Sequence, residues 1–251
     1  MIIKTIKTRK LFPPKDDLFS LIKESFSDLN LKERSVIVIT SKIISIWQGR
    51  CLKKDLVRDK DGLIKKEADF YIERDKVPKR LAILTIKNNI LIPTAGIDES
   101  NGSEYYILWP ESPFLAAKKI YNFIKKKYCL KKFGVIISDS RSIPSRRGTI
   151  GFSVAHYGFN PLRDHRGNPD IFGRKIKRTL TNIADSLAGA AVLVMGESGE
   201  QTPIAVIEDV DFLKFGGFNP EISNSLEIDP KTDIYFPLIK AARWKKGGKK
   251  L

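Results

Sequence analysis

Two short runs of β-branched residues restrict the folds open to this chain more than any other feature. Ser35 to Ile39 and Phe133 to Ser138 are apolar at nearly every position and are flanked by charged residues. Runs without polar alternation are typical of strands buried on both faces of a sheet. We therefore expect two interior strands, which end at the polar sequences Thr40-Ser41-Lys42 and Ser138-Asp139-Ser140.

Helical and extended patterns both occur in the rest of the chain. Capping residues and apolar stripes predict helices that start at Asp16 or Asp17, at Ser112-Pro113 and at Asn182. Further strands are expected at Met1 to Thr8, Leu81 to Ile86, Ile90 to Pro93, Tyr105 to Trp109, Thr149 to His156 and Ile204 to Ile207. Lys87-Asn88-Asn89 should join the second and third of these as a hairpin. The prediction is a mixed α/β protein of the α+β class without repeats, forming one unit over residues 1–251.

Composition excludes some classes of protein and leaves others open. Apolar stretches fall well short of the roughly 20 residues that cross a membrane, so no membrane span is expected. Cys51 and Cys129 form no disulfide framework, which favours a reducing cytoplasm and two small buried side chains. The net charge of +16 suits phosphorylated or acidic ligands. Its scattered lysines and the basic tail at 243–251 are typical of solvated faces and a frayed end, so nucleic-acid binding is not expected.

In so basic a chain, the acids beside Gly, Ser and Asn are the informative residues. Such acids follow the predicted elements at three places: Ala95 to Asn101, Ser138 to Ser140 and Met195 to Glu200. Carboxylates in these positions can hold a divalent metal, although each segment is also an ordinary turn.

Two arginine-bearing segments could grip an anion. Asp164 to Arg174 contains Arg166 and Arg174, and can equally be read as an Asn-Pro turn with a helix cap at Asp170. The loop Arg141 to Gly148 places Arg146 and Arg147 shortly after Asp139, where they suit an anionic ligand or are simply solvated.

Several familiar sites are absent from the sequence. There is no Gly-x-x-x-x-Gly-Lys-Ser/Thr loop, no Gly-x-Gly-x-x-Gly and no His-Glu-x-x-His, and His156 and His165 are the only histidines. Oxygen ligands then favour Mg²⁺ or Mn²⁺ over Zn²⁺.

In this order, the segments resemble the coenzyme F-420-0:gamma-glutamyl ligase family. The similarity covers about residues 36–207 and is carried by the following sequences: Ser41-Lys42-Ile43-Ile44-Ser45 with Gly49-Arg50, Ala95 to Asn101, Gly134 to Ser140, Arg146-Arg147-Gly148, Asp170 to Arg174, Ala184-Asp185 and Met195-Gly196-Glu197. Leu108-Trp109-Pro110 and Glu200-Gln201-Thr202-Pro203 look closer to the bacterial branch often labelled putative folate-metabolism gamma-glutamate ligases.

The resemblance implies a fold of two subdomains without a phosphate loop, assembled as a homodimer. It implies Asp98 and Asp139 at one divalent metal (Mg²⁺ or Mn²⁺), Ser140 and Glu197 at a second, K⁺ as a further candidate cation, and Asp98, Asp139, Arg146 and Arg147 in catalysis. It places the following residues at the nucleotide, GTP or ATP: Arg9, Lys10, Leu11, Phe12, Ser41, Lys42, Asn101, Met195, Gly196, Ser198, Gly199, Glu200, Gln201 and Thr202.

The implied reaction joins L-glutamate to a carboxylate-bearing cofactor of the F-420-0 or folate type through an acyl phosphate. Two positions depart from the family, which often has Lys where this chain has Ile46 and an acid where it has Gln48. An arginine, Arg141, Arg146 or Arg147, could replace the lost ammonium group. The alternatives are a nucleotide-binding regulator without catalysis and an RNA-binding protein on the same fold.

Overall fold

A computed structural model describes residues 1–216 and 226–248. Its α-helices are α1 Leu18–Ser25, α2 Ser41–Gln48, α3 Lys60–Glu67, α4 Pro113–Tyr128, α5 Ile183–Met195 and α6 Phe236–Ala241. Its strands are β1 Ile2–Ile6, β2 Val36–Thr40, β3 Cys51–Lys53, β4 Phe70–Ile72, β5 Leu84–Lys87, β6 Ile90–Pro93, β7 Tyr105–Ile107, β8 Gly134–Ser142, β9 Thr149–Tyr157, β10 Leu162–Asp164, β11 Leu180–Asn182, β12 Ile204–Glu208 and β13 Lys245–Lys246. The mixed α and β class is confirmed.

A five-stranded sheet with the order β1-β12-β2-β8-β9 forms the centre of the protein. The two apolar runs are its neighbouring strands β2 and β8, which pair in parallel with Val36 opposite Gly134 and Thr40 opposite Ser138. The first four residues of β2 and the first five of β8 are buried. Because these strands run in the same direction, their polar ends meet at one edge of the sheet.

Helices cover both faces of this sheet, as strands buried on two sides require. Residues of α1, α2 and α4 pack on one face, in a core with Ile37 and Ile39. Residues of α5 pack on the other face with Val36 and Val38. Gly151 of β9 lets α5 approach closely, because a Cβ atom there would lie 2.5 Å from Val192 Cβ and 2.8 Å from the Ala188 carbonyl oxygen.

A second, smaller assembly contains the four-stranded sheet β13-β4-β5-β6 and its own apolar core, which includes Leu63 and Ile64 of α3. The predicted hairpin is present as β5 and β6, and Asn88 and Asn89 at its turn both have positive φ, as a two-residue turn of type I′ requires. Lys245–Lys246 pairs with β4, so the frayed end that we expected does not apply there. Residues 249–251 of the basic tail lie outside the described residues.

The structure corrects several local predictions. Cys129 is exposed and Cys51 is half-buried, so neither thiol is the buried apolar group that we expected. Helix α2 follows β2 without a break, where the sequence indicated only a strand end. Asp170 caps a turn, accepting from the backbone N–H groups of Phe172 and Arg174 at 2.9 Å, and no helix begins there. Within the described residues, no helix is both long and apolar enough to cross a membrane.

Candidate functional site

A cavity of about 670 Å³ opens at the edge of the sheet where β2 and β8 end. Its walls come from segments far apart in sequence: residues 8–13 after β1, the junction of β2 and α2, the loop 98–103, the end of β8, and residues 195–203 after α5. The volume is within the range of about 300–1,000 Å³ typical of small-molecule sites.

Asp139 is anchored in this cavity by the start of α2. Ser41 Oγ donates to Asp139 Oδ2 at 2.7 Å, and the Ser140 backbone N–H donates to Oδ1 at 2.7 Å. Burial raises the pKa of the Asp139 carboxyl to about 6, and the negative charge of Asp98 adds to the rise. Hydrogen bonds from Ser41 and Ser140, and the Lys42 ammonium, oppose the rise. The two acids therefore interact electrostatically in the metal-free protein.

Asp98 reaches the same cavity from the loop before β7. Its backbone exchanges two 2.9 Å hydrogen bonds with Ile107, which fix the loop to the end of β7. Asp98 Oδ1 accepts from the Ser100 backbone N–H at 2.7 Å and from Ser100 Oγ at 2.8 Å. Asp98 Oδ2 lies 2.7 Å from Lys42 Nζ, so this carboxylate is paired with an ammonium group from α2.

The loop after α5 forms another part of the cavity wall. Ser140 Oγ donates to Glu197 Oε2 at 3.2 Å, and Asn101 Nδ2 donates to the Ser198 carbonyl at 2.7 Å. Thr202 Oγ1 donates to the Met195 carbonyl at 2.6 Å, which closes the loop on itself. These contacts join the end of β8 and the loop 98–103 to the segment 195–203, so the cavity wall is continuous.

The structure brings nearly all the residues expected at the site into one cavity. All four residues expected at metal and all fourteen expected at the nucleotide line it: Asp98, Asp139, Ser140 and Glu197, with Arg9, Lys10, Leu11, Phe12, Ser41, Lys42, Asn101, Met195, Gly196, Ser198, Gly199, Glu200, Gln201 and Thr202.

Other arginine-bearing segments lie apart from the cavity wall. Arg146 and Arg147 are exposed on the loop between β8 and β9 and are not among the lining residues. Arg141 points elsewhere, with its guanidinium stacked 4.5 Å from the Phe152 ring and donating to the Leu91 carbonyl at 3.3 Å. Arg166 forms an ion pair with Asp164, two residues away, at 2.7 Å.

Sequence reasoning missed several lining residues. Thr40 and Ile43 enter the wall at the junction of β2 and α2, and Val192 enters with α5. Ile43 and Val192 are apolar, so no chemical signal marks them. Ile46 also lines the cavity, at the position that the family resemblance had singled out. Ile46 is only 2% exposed, and the wall therefore has an aliphatic surface at the position where the family often has Lys.

Comparison with known proteins gives a consistent result. The sequence model of the family described as F420-0:gamma-glutamyl ligase matches residues 6–209. The coenzyme F420:L-glutamate ligase of Methanopyrus kandleri is 28% identical to this chain over 252 residues, covering 93% of this chain and 96% of that protein. The protein of the same name from Methanocaldococcus jannaschii is 33% identical, covering 74% and 80%. That of Archaeoglobus fulgidus is 31% identical, covering 85% and 89%.

Proposed function

The chain belongs to the F420-0:gamma-glutamyl ligase family, and from this premise we propose that it attaches L-glutamate to a carboxylate-bearing cofactor, using a nucleoside triphosphate and a divalent metal. The observation that carries the proposal is that Asp98 and Asp139, from separate segments, line one cavity with the hydroxyl of Ser41 and the ammonium of Lys42. A purely structural role would not require two acids there.

The donor set fits a magnesium or manganese ion. The described residues contain no cluster of three or more His, Cys, Asp or Glu side chains, which argues against a metal site built only from protein ligands. Mg²⁺ is usually held by one or two carboxylates together with water and substrate phosphates. Asp98 and Asp139 would supply those carboxylates, and Ser140 with Glu197 would hold a second ion. When bound, such ions neutralise phosphate charge and align the reacting oxygens.

The start of α2 suits a nucleotide phosphate. Its N-cap residue, Thr40, makes no side-chain capping hydrogen bond, so the first-turn N–H groups are not capped by that side chain. Asn101 and the segment 195–203 would border the rest of the nucleotide. Ile46 brings no positive charge, and Lys10 and Lys42 are the lysines that line the cavity. We propose that Lys42 supplies the phosphate-facing ammonium.

The reaction then follows from this arrangement. A carboxylate oxygen of the acceptor attacks the terminal phosphorus, the bond to the bridging oxygen breaks, and a nucleoside diphosphate leaves. The amine of L-glutamate attacks the carbonyl carbon of the acyl phosphate. Inorganic phosphate leaves, an amide forms, and the amine loses a proton to a base that we do not assign. Lys42 and the N–H groups of α2 would hold the triphosphate in place during the first step.

The remaining parts of the proposal rest on the family and on composition. We propose an F-420-0 or folate-type acceptor, a homodimer, and a cytoplasmic location, where two free thiols are stable. A net charge of +16 favours acceptors that carry phosphate or several carboxylates. An RNA binder on this fold is not favoured, because it does not need two acids beside a helix N-terminus. A non-catalytic nucleotide binder is not favoured, because the chain matches a family of ligases.

Mass spectrometry after incubation with the deazaflavin acceptor or a reduced folate tests the proposal. The reaction contains L-glutamate, Mg²⁺ or Mn²⁺, and GTP or ATP. One acceptor should gain the mass of a glutamyl residue, and phosphate should be released with it. If the acceptor carboxylate is labelled with ¹⁸O, one label should appear in the phosphate. Mass gain without label transfer would contradict the acyl phosphate, and no mass gain on either acceptor would contradict the ligase.

A further inference from the structure

Lys42 forms an ion pair with Asp98 inside the cavity. Its Nζ lies 2.7 Å from Asp98 Oδ2 and 3.0 Å from Ser100 Oγ. The other oxygen of Asp98 already accepts two hydrogen bonds from Ser100. Both carboxylate oxygens of Asp98 are therefore satisfied within the protein, with an ammonium group as the counter-ion.

Asp139 differs from Asp98 in this respect. Within residues 1–216 and 226–248 it takes part in no ion pair, and its hydrogen bonds come from Ser41 and Ser140. The positive charge of Lys42 and the negative charge of Asp98 both act on the Asp139 carboxyl, so these three groups share one electrostatic environment. Asp98 and Asp139 thus line the cavity together with the Lys42 ammonium group.

We propose that Lys42 acts as an exchangeable counter-ion, which occupies the cation position at Asp98 in the metal-free protein and leaves it when a divalent ion binds there. This inference rests on the proposed function, because it assumes that Asp98 is a metal ligand. An ammonium group and a divalent ion cannot both contact Asp98 Oδ2 closely, since like charges repel. The long, flexible side chain of Lys42 can instead reach a phosphate from the first turn of α2.

The exchange makes metal and nucleotide binding cooperative. A nucleotide phosphate that attracts Lys42 frees Asp98 for the metal, and a metal that displaces Lys42 frees the ammonium group for the phosphate. Linkage requires that each ligand raises the affinity of the other by the same factor. Direct bonds between phosphate and metal would add to this coupling, so the part due to Lys42 is the difference between the native protein and a variant without the charge.

Lys42→Met is the variant that isolates this effect, because it keeps most of the side-chain length and removes the charge. Lys60→Met is the matched control: Lys60 also pairs with an acid, Glu99, next to Asp98 in sequence, but neither residue lines the cavity. Free Mn²⁺ is measured by electron paramagnetic resonance during titration of each metal-free protein without nucleotide. We expect Lys42→Met to bind Mn²⁺ on the order of tenfold more tightly than the native protein, as loss of one close like charge implies.

Further outcomes separate this inference from the proposed function. Lys60→Met and Lys42→Arg should bind Mn²⁺ like the native protein. GDP should raise the Mn²⁺ affinity of Lys42→Met less than it raises that of the native protein. The ratio of the two enhancements should equal the factor by which Lys42→Met tightens Mn²⁺ binding without GDP. Equal or weaker Mn²⁺ binding by Lys42→Met would overturn the exchange and leave the metal site intact. Absence of Mn²⁺ binding by every protein, with or without GDP, would overturn the metal site as well.

Discussion

Two regions contain acids beside basic residues: the cavity at the edge of the central sheet, and residues 162–182, the arm formed by β10, β11 and the loop that joins them. The acids find their partners differently in the two regions. In the arm, Arg166 pairs with Asp164, and Asp170 accepts from the backbone N–H groups of Phe172 and Arg174. Each of these partners lies within four residues of the other along the sequence. In the cavity, Ser41 bonds Asp139 across 98 residues of sequence. Ser140 bonds Glu197 across 57.

From this difference we predict which charged motifs carry function in this chain. A local pair forms in almost any turn and requires no tertiary structure. Charges that are joined only by the fold need a scaffold to bring them together, and here the scaffold is the parallel pair of β2 and β8. We therefore expect substitutions in the cavity to affect catalysis strongly and substitutions in the arm to affect it little.

The largest expected effect is on turnover in Asp98→Asn and Asp139→Asn. Each change preserves side-chain size and removes a charge that the proposed mechanism needs at the metal. Glutamate incorporation should fall at least about a hundredfold, the scale seen when one electrostatic contact to a reacting group is lost. Steady-state kinetics measure it, and near-native turnover in Asp139→Asn would show that the metal is held elsewhere.

The same Asp139→Asn change should stabilise the metal-free protein at neutral pH. Burial raises the pKa of this carboxyl to about 6, so the folded state resists its ionisation and loses stability as the pH rises from about 4 to 6. Asn removes that cost, which is up to about 3 kcal/mol. Urea unfolding in EDTA should show the gain at pH 7.5 and none at pH 3.5. A loss of stability at pH 7.5 would contradict this electrostatic description.

A smaller effect, in this case a loss of stability, is expected from Gly151→Ala, in the packing behind the cavity. The added methyl group would meet Val192 and the Ala188 carbonyl, so α5 must move away from β9. Overpacking of this kind costs about 2 kcal/mol. Gly199→Ala is the control, since no atom lies within 4 Å of the added Cβ. Thermal unfolding that ranks the two variants in the opposite order would contradict the packing.

The smallest effect should follow Arg166→Ala in the arm. Its only ionic partner among the described residues is Asp164, and neither residue lines the cavity. Glutamate incorporation should stay within about twofold of the native rate, because exposed local ion pairs contribute little. A loss comparable to that of Asp139→Asn would mean that the arm contributes to catalysis.

Much of the fold could be predicted from the sequence, because its patterns are local. The runs at Val36 and Gly134 predicted the interior strands, Ser112-Pro113 predicted the start of α4, and Asn88-Asn89 predicted a hairpin turn. Helix α2 was missed because Ser41 and Lys42 are polar and the apolar residues that follow continue the strand pattern. The β10–β11 arm was missed because its strands are three residues long.

Many of the residues that line the candidate site could be predicted from the sequence, but its geometry could not. Acids and hydroxyls at element ends marked Asp98, Asp139 and Glu197, and the family resemblance added the segment 195–202. Nothing in the sequence showed that Lys42 pairs with Asp98, because that contact depends on how α2 and the loop 98–103 approach each other. Nor did the sequence show that Arg141 stacks on Phe152 and does not line the cavity, as Lys10 and Lys42 do.

Glutamate incorporation by Asp139→Asn and Arg166→Ala, assayed side by side with the native protein, tests the central claim most directly. The assay is mass spectrometry of the acceptor with L-glutamate, nucleoside triphosphate and Mg²⁺. We predict that the native protein and Arg166→Ala transfer glutamate at similar rates and that Asp139→Asn, though folded, transfers almost none. Glutamate transfer by Asp139→Asn at the native rate would contradict the assignment of the reaction to this cavity.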